Sequence, residues 1–149
     1  LPGGEMISDS KKITKDFSQL NKYEVTEKGS KVAVIGLGTF YGLAGQAADL
    51  IGEKTGTVPT VINPYYITGI DQDMLENLKK DHDVVITLED GILDGGFGEK
   101  IARFYGDSDM KVLNYGLKKE FLDRYDAAEV VKENRLTREQ ITEDVMKFV

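Results

Sequence analysis

The sequence predicts one three-layer α/β domain, with a mostly parallel sheet of about five strands and a single antiparallel strand at one edge. Three observations predict it. Short continuous apolar runs recur along the chain, as strands buried on both faces require. Stretches with apolar residues at helical spacing lie between them. Because the two patterns alternate, right-handed crossovers are the default connection, and these cover both faces of the sheet with helices.

Leu1 to Gln19 mixes Gly, Ser, Lys and Asp without either hydrophobic period, which predicts a lead-in linker from a preceding domain over residues 1–19 and a compact domain over 20–149. The start Leu1-Pro2-Gly3-Gly4 carries no initiator Met and no signal-peptide pattern, and reads as the start of a fragment. Tyr23-Glu24-Val25-Thr26 alternates and is the expected edge strand; Lys28-Gly29 turns, and Lys31 to Gly36 is the first buried strand. Two more buried runs follow, Val58 to Ile62 and Val84 to Leu88, with a shorter one at Lys111 to Asn114. Val34, Ile35, Val61, Ile62, Val85 and Ile86, central in these runs, are the predicted core.

The first helix carries Leu43, Ala47, Leu50 and Ile51 as one apolar stripe. A second starts at an Asp71 cap and carries Met74, Leu75 and Leu78. The third begins in the run Gly95-Gly96-Phe97-Gly98 and turns Ile101, Phe104 and Tyr105 inward. Thr137 to Gln140 has the form of a capping box, after which Ile141, Val145 and Phe148 predict a docked last helix.

The chain has 149 residues, enough for one ordinary domain; 40% are hydrophobic and 30% charged, both ordinary for a soluble protein. Its net charge of −7, with scattered Lys and Arg, argues against nucleic acid and membrane partners. The absence of cysteine excludes disulfides and thiol nucleophiles and fits a reducing compartment, so a cytoplasmic location is expected.

Gly36-Leu37-Gly38-Thr39-Phe40-Tyr41-Gly42 joins a strand to a helix, the context in which backbone amides can cradle phosphate. Its third glycine is one residue late for a dinucleotide fingerprint, and the next strand ends at Asn63 rather than at a ribose-binding acid. A tight turn without ligand is the expectation, with a small-anion site at the Gly38 to Gly42 helix start and a flavodoxin-like mononucleotide site as alternatives. Glu89 and Asp90 end a strand beside Asp94, where a metal or acid–base site could form; the simpler reading is that they cap the next helix and bond loop amides. His82, the sole histidine, stands in Lys79-Lys80-Asp81-His82-Asp83 and is expected on a surface loop. Ser18, Ser30 and Ser108 lack a nucleophile-elbow context, and Phe40, Tyr65 and Tyr66 read as core or interface aromatics.

Several of these segments together carry a resemblance. Lys31 to Thr39, Thr60 to Pro64 leading to Gly69-Ile70-Asp71, Asp81 to Asp90, and Gly95 to Gly98 resemble, in order and spacing, the C-terminal domain of the 1-deoxy-D-xylulose-5-phosphate synthases, within the transketolase C-terminal domain family. Val112 to Leu117 and Leu136 to Phe148 look like that family's late strand and last helix, and Pro2-Gly3 like the end of its interdomain connection. Pro64 to Asp71 departs from the family, which has a basic residue and a Lys-Pro-Leu-Asp ending there; a divergent paralogue, a transketolase or a 2-oxoacid dehydrogenase β subunit stay open.

The resemblance implies an enzyme that uses thiamine diphosphate and Mg²⁺, held by preceding pyrimidine-binding and diphosphate-binding domains, and that works as a homodimer. It supplies no catalytic, cofactor or metal residue in this chain, and no cofactor is expected to bind this fragment. Gly36, Gly38, Thr39, Gly42, Asn63, Asp71, Glu89, Asp90, Gly95, Gly96 and Gly98 are then the candidates for interface or structural loops.

Overall fold

The computed structural model describes residues 23–64, 70–92, 96–117, 132 and 135–149. Its strands are β1 (Glu24–Glu27), β2 (Lys31–Gly36), β3 (Thr60–Asn63), β4 (His82–Ile92) and β5 (Lys111–Leu117). Helices α1 (Tyr41–Thr55), α2 (Gln72–Leu78), α3 (Phe97–Phe104) and α4 (Arg138–Val145) complete the described elements, with a 3-10 turn at Gly38–Phe40. The strands form one sheet in the order β1-β3-β2-β4-β5. β1 runs antiparallel to β3 at the edge, and every other pairing is parallel. The predicted fold class is therefore the observed one.

Alternation along the strands divides the core in two. Val32, Val34, Val84 and Ile86 face α1 and α4, packing on Ala44, Ala47, Ala48, Ile51, Ile141 and Val145. Ala33, Ile35, Ile62 and Val85 face the other way, against Leu75 and Leu78 of α2 and Phe97, Ile101 and Tyr105 at α3. The six residues predicted as core are all buried. At roughly 25 cal/mol for each Å² of apolar surface, such side chains supply the main drive for folding.

Capping follows the sequence at two helices. The Asp71 carboxylate accepts from the Met74 amide at the start of α2. Thr137 Oγ1 accepts from the Gln140 amide at the start of α4, while the Gln140 side chain meets the Thr137 hydroxyl and the Lys132 carbonyl instead of closing a reciprocal box.

Three sequence expectations need correction. Val58 is 52% exposed, because β3 begins only at Thr60; its carbonyl accepts from the Ser30 amide while its side chain faces out. Phe148 is 43% exposed, because α4 ends at Val145 and the Phe148 amide turns back to the Val145 carbonyl, which takes the ring off the helical stripe and under the Lys111 ammonium. His82 is the first residue of β4 and only 4% exposed, not a surface-loop residue.

Candidate functional site

From β2 the chain crosses to β3 on one side, then returns past β2 to β4 on the other. The carboxyl-terminal ends of β2 and β4 thus flank a topological switch point, where open α/β sheets place their ligand and contact loops. Gly36 pairs with Leu88 there, and the Leu37 amide donates to the Leu88 carbonyl at 2.8 Å.

Glu89 is a buried carboxylate at this end, 4% exposed. Its two carboxylate oxygens accept from the Phe97 amide at 3.1 Å and the Gly98 amide at 2.7 Å. Both donors belong to the first turn of α3, whose amides otherwise have no intrahelical acceptor, and the helix dipole favours a negative charge at that place. The capping expected of Glu89 is present, and it leaves the carboxylate committed to the backbone. Asp71 is committed in the same way on the neighbouring helix, since its second oxygen accepts from the Tyr23 amide at 3.0 Å where the described chain begins. The Tyr23 and Phe97 rings lie 6.1 Å apart and join the two caps.

Gly98 owes its identity to contacts inside the domain. A Cβ there would lie 2.7 Å from Thr87 Oγ1 and 2.7 Å from Asn114 Oδ1, two atoms that are hydrogen-bonded to each other. Gly96 has φ −85° and ψ −171°, an extended conformation open to any residue. Gly36 is likewise closed in, with a Cβ placed 2.7 Å from that of Ala44, and Gly38 turns the chain at φ 63°.

The structure brings Gly36, Glu89 and Gly98 together at one end of the sheet, where Asn63 ends β3 opposite Glu24 and Asp71 caps α2 beside Tyr23. Gly42 is elsewhere. It lines an open cleft between α1 and β1 with Thr26, Tyr41, Gly45 and Asp49, and a Cβ on it would meet nothing within 4 Å. Thr39 lies in the 3-10 turn and Asp90 in β4, whereas Asp94, Gly95, Tyr65 and Tyr66 fall outside the described residues. Among the described residues no three His, Cys, Asp or Glu side chains converge as metal ligands.

The model of the transketolase C-terminal domain matches residues 21–141. The chain belongs to the transketolase C-terminal domain family. Within that family it is similar to the 1-deoxy-D-xylulose-5-phosphate synthase of Clostridium beijerinckii, 32% identical over 99% of this chain and 24% of the relative. It is also 32% identical to that of Gloeothece citriformis, over 86% of this chain and 20% of the relative. The domain therefore spans about a quarter or less of the length of these curated relatives. Two solved structures share its fold. One is a split-gene transketolase described as an inactive β4 tetramer, at TM-score 0.75 and 22% identity over 86% of this chain and 42% of that one. The other is transketolase from Campylobacter jejuni, at TM-score 0.57 and 15% identity over 86% of this chain and 19% of that one.

Sequence reasoning missed a second buried polar group, at the opposite end of the sheet. His82 and Thr60 meet there. Strand alternation did not signal it, because the pairing with β2 shifts register between His82 and Val84 and turns His82 toward Thr60, on the face opposite Val84 and Ile86. A third group, Tyr115 with Asp144 and Arg135, joins β5 to α4 and left no local signature. Burial alone would push the Asp144 carboxyl up, but hydrogen bonds from Arg135 and Tyr115 outweigh it and hold the group below the usual carboxylate range. Burial, then the bond to Asp144, pushes the Tyr115 phenol well above its ordinary value.

Proposed function

We propose that this chain is the C-terminal domain of a thiamine-diphosphate-dependent 1-deoxy-D-xylulose-5-phosphate synthase, serving dimerisation and domain packing rather than catalysis. The complete enzyme would condense pyruvate with glyceraldehyde 3-phosphate with loss of carbon dioxide, in the cytoplasm. The observation that carries this reading is the similarity to such synthases along 99% of the chain. The commitment of Glu89 and Asp71 to backbone amides adds support, because a carboxylate whose two oxygens each accept an N–H at a helix start is engaged in holding the fold.

Thiamine diphosphate and Mg²⁺ would be held by the two preceding domains, joined through residues 1–19. The described residues offer no converging ligand set for the metal, and no residue of this chain is assigned to the cofactor. The surface around Gly36, Glu89 and Gly98 would meet the catalytic domains or a second subunit, and the Gly42 cleft would meet a second subunit.

Calorimetric titration of the isolated chain with thiamine diphosphate and Mg²⁺ tests the reading. No appreciable binding and no pyruvate decarboxylation are expected, and micromolar binding would contradict it.

A further inference from the structure

The unexpected burial of the sole histidine leads to a second polar device, away from the assembly surface. His82 Nδ1 lies 2.6 Å from Asp81 Oδ1, and Nε2 lies 2.8 Å from Thr60 Oγ1. Thr60 Oγ1 in turn accepts from the Gly29 amide at 2.9 Å. Carboxylate, imidazole and hydroxyl thus stand in the order used for nucleophilic catalysis. Thr60 is 0% exposed, however, so no substrate reaches its hydroxyl.

The polarity of the chain of bonds follows from its two ends. A carboxylate can only accept, so in the neutral ring the proton belongs on Nδ1 and Nε2 is left as an acceptor. Thr60 must then donate its hydroxyl proton to Nε2, which leaves Oγ1 free to accept from Gly29. We propose that Asp81, His82 and Thr60 form a polarised relay, a proton-sensitive clasp that holds the β1–β2 turn onto the amino-terminal end of the sheet.

The turn has need of a clasp. A Cβ on Gly29 would stand 2.0 Å from the Val58 carbonyl oxygen, and Lys31 has φ 70°, a left-handed conformation uncommon for a residue with a side chain. The Lys31 amide also donates to the Asp81 carbonyl, so a backbone hydrogen bond ties the end of the turn to the residue that carries the relay's acid.

Protonation of the ring reverses one link. Nε2 becomes a donor, so the Thr60 hydroxyl proton has to turn away while Oγ1 accepts from both the ring and Gly29. The change is delivered to the Gly29 turn. Other charged residues line the two clefts that His82 borders. Lys28 of the turn, Asp71 at the cap of α2, Asp73 of α2, and Lys80 line one cleft with Asp81. Lys79, Asp83 of β4, and Asp107 and Asp109 before β5 line the other.

With one histidine in the sequence, its ring signals in long-range ¹H–¹⁵N spectra of the untagged chain are unambiguous. The proposal expects the neutral ring to carry its proton on Nδ1, and the Gly29 amide resonance to titrate with the ring's midpoint. A neutral ring protonated on Nε2, or a Gly29 amide indifferent to ring titration, would overturn it. Thr60→Val removes the hydroxyl and should speed Gly29 amide exchange by about tenfold or more, while Thr60→Ser should restore protection. Equal exchange in the valine and serine variants would also overturn it. Should the valine variant fail to fold, the unmodified chain still decides through its tautomer and titration.

Discussion

Glu89 and His82 lie toward opposite ends of β4, each 4% exposed, and the two ends accommodate a buried ionisable group by different means. At the carboxyl-terminal end the partners of Glu89 are backbone amides of α3, so one side chain serves a helix start and fixes where the glycine turn ends. At the amino-terminal end the partners of His82 are side chains, Thr60 and Asp81, and the bonds run on to a tight turn. The first arrangement is local and rigid and asks only for a carboxylate. The second depends on which atom carries a proton, and therefore on conditions. The carboxyl-terminal end suits a fixed contact surface, and the amino-terminal end suits internal fastening.

Breaking the fastening should have the largest effect. Gly29→Ala puts a methyl group into the Val58–Pro59 backbone, with contacts of 2.0 Å to the Val58 oxygen and 2.5 Å to Pro59, so one strand end must shift. A loss of about 3 kcal/mol or more is expected from urea unfolding. A variant as stable as the parent would mean that the turn does not lie against β3.

Glu89→Gln sharpens the contrast from the other side. The amide oxygen can take one of the two α3 donors, but the amide nitrogen then faces the other, leaving a buried amide without an acceptor. The expected cost is about 1–3 kcal/mol in the isolated domain, with the full-length enzyme's affinity for thiamine diphosphate nearly unchanged. Loss of orders of magnitude in turnover from a fully dimeric Glu89→Gln enzyme would restore the acidic end as a catalytic site.

The smallest expected effect concerns neither end but the α4 seam. Asp144 is held below its ordinary value, so its contribution is present above the unfolded carboxylate range near pH 4 and is lost as pH falls through the lower folded value. Tyr115 is raised, so its contribution is present below about pH 10 and is lost as pH rises toward the folded value. Asp144→Asn should flatten the acid limb of a stability-against-pH curve while leaving the core transition intact. An unchanged acid limb would remove Asp144 from the account.

Periodicity made the sheet, the two-faced core and the starts of α2 and α4 legible, because each depends on residues near in sequence. Val34 and Ile35 show this, one facing α1 and the other α2, as adjacent strand residues must. Glu89 was legible as a cap because the glycine run that follows signals a helix start nearby. His82 was not, because its burial depends on Thr60, which pairing across the sheet brings beside it. Phe148 misled for a related reason: the stripe continues in sequence after the helix has stopped. Gly98 was a candidate for an interface or structural loop, and the atoms that close in on it belong to Thr87 and Asn114 of the domain's own strands, contact within the domain rather than with another surface.

That last distinction separates a glycine kept for folding from one available for assembly. Gly98 is closed in by the domain, whereas Gly42 has open space where a side chain would go. Gly42→Arg in the full-length enzyme, followed by sedimentation velocity alongside thermal unfolding of the isolated domain, tests the assembly role most directly. The domain should melt within a few degrees of the parent, and the enzyme should dissociate and lose turnover in step. A Gly42→Arg enzyme that stays fully dimeric and active would contradict it.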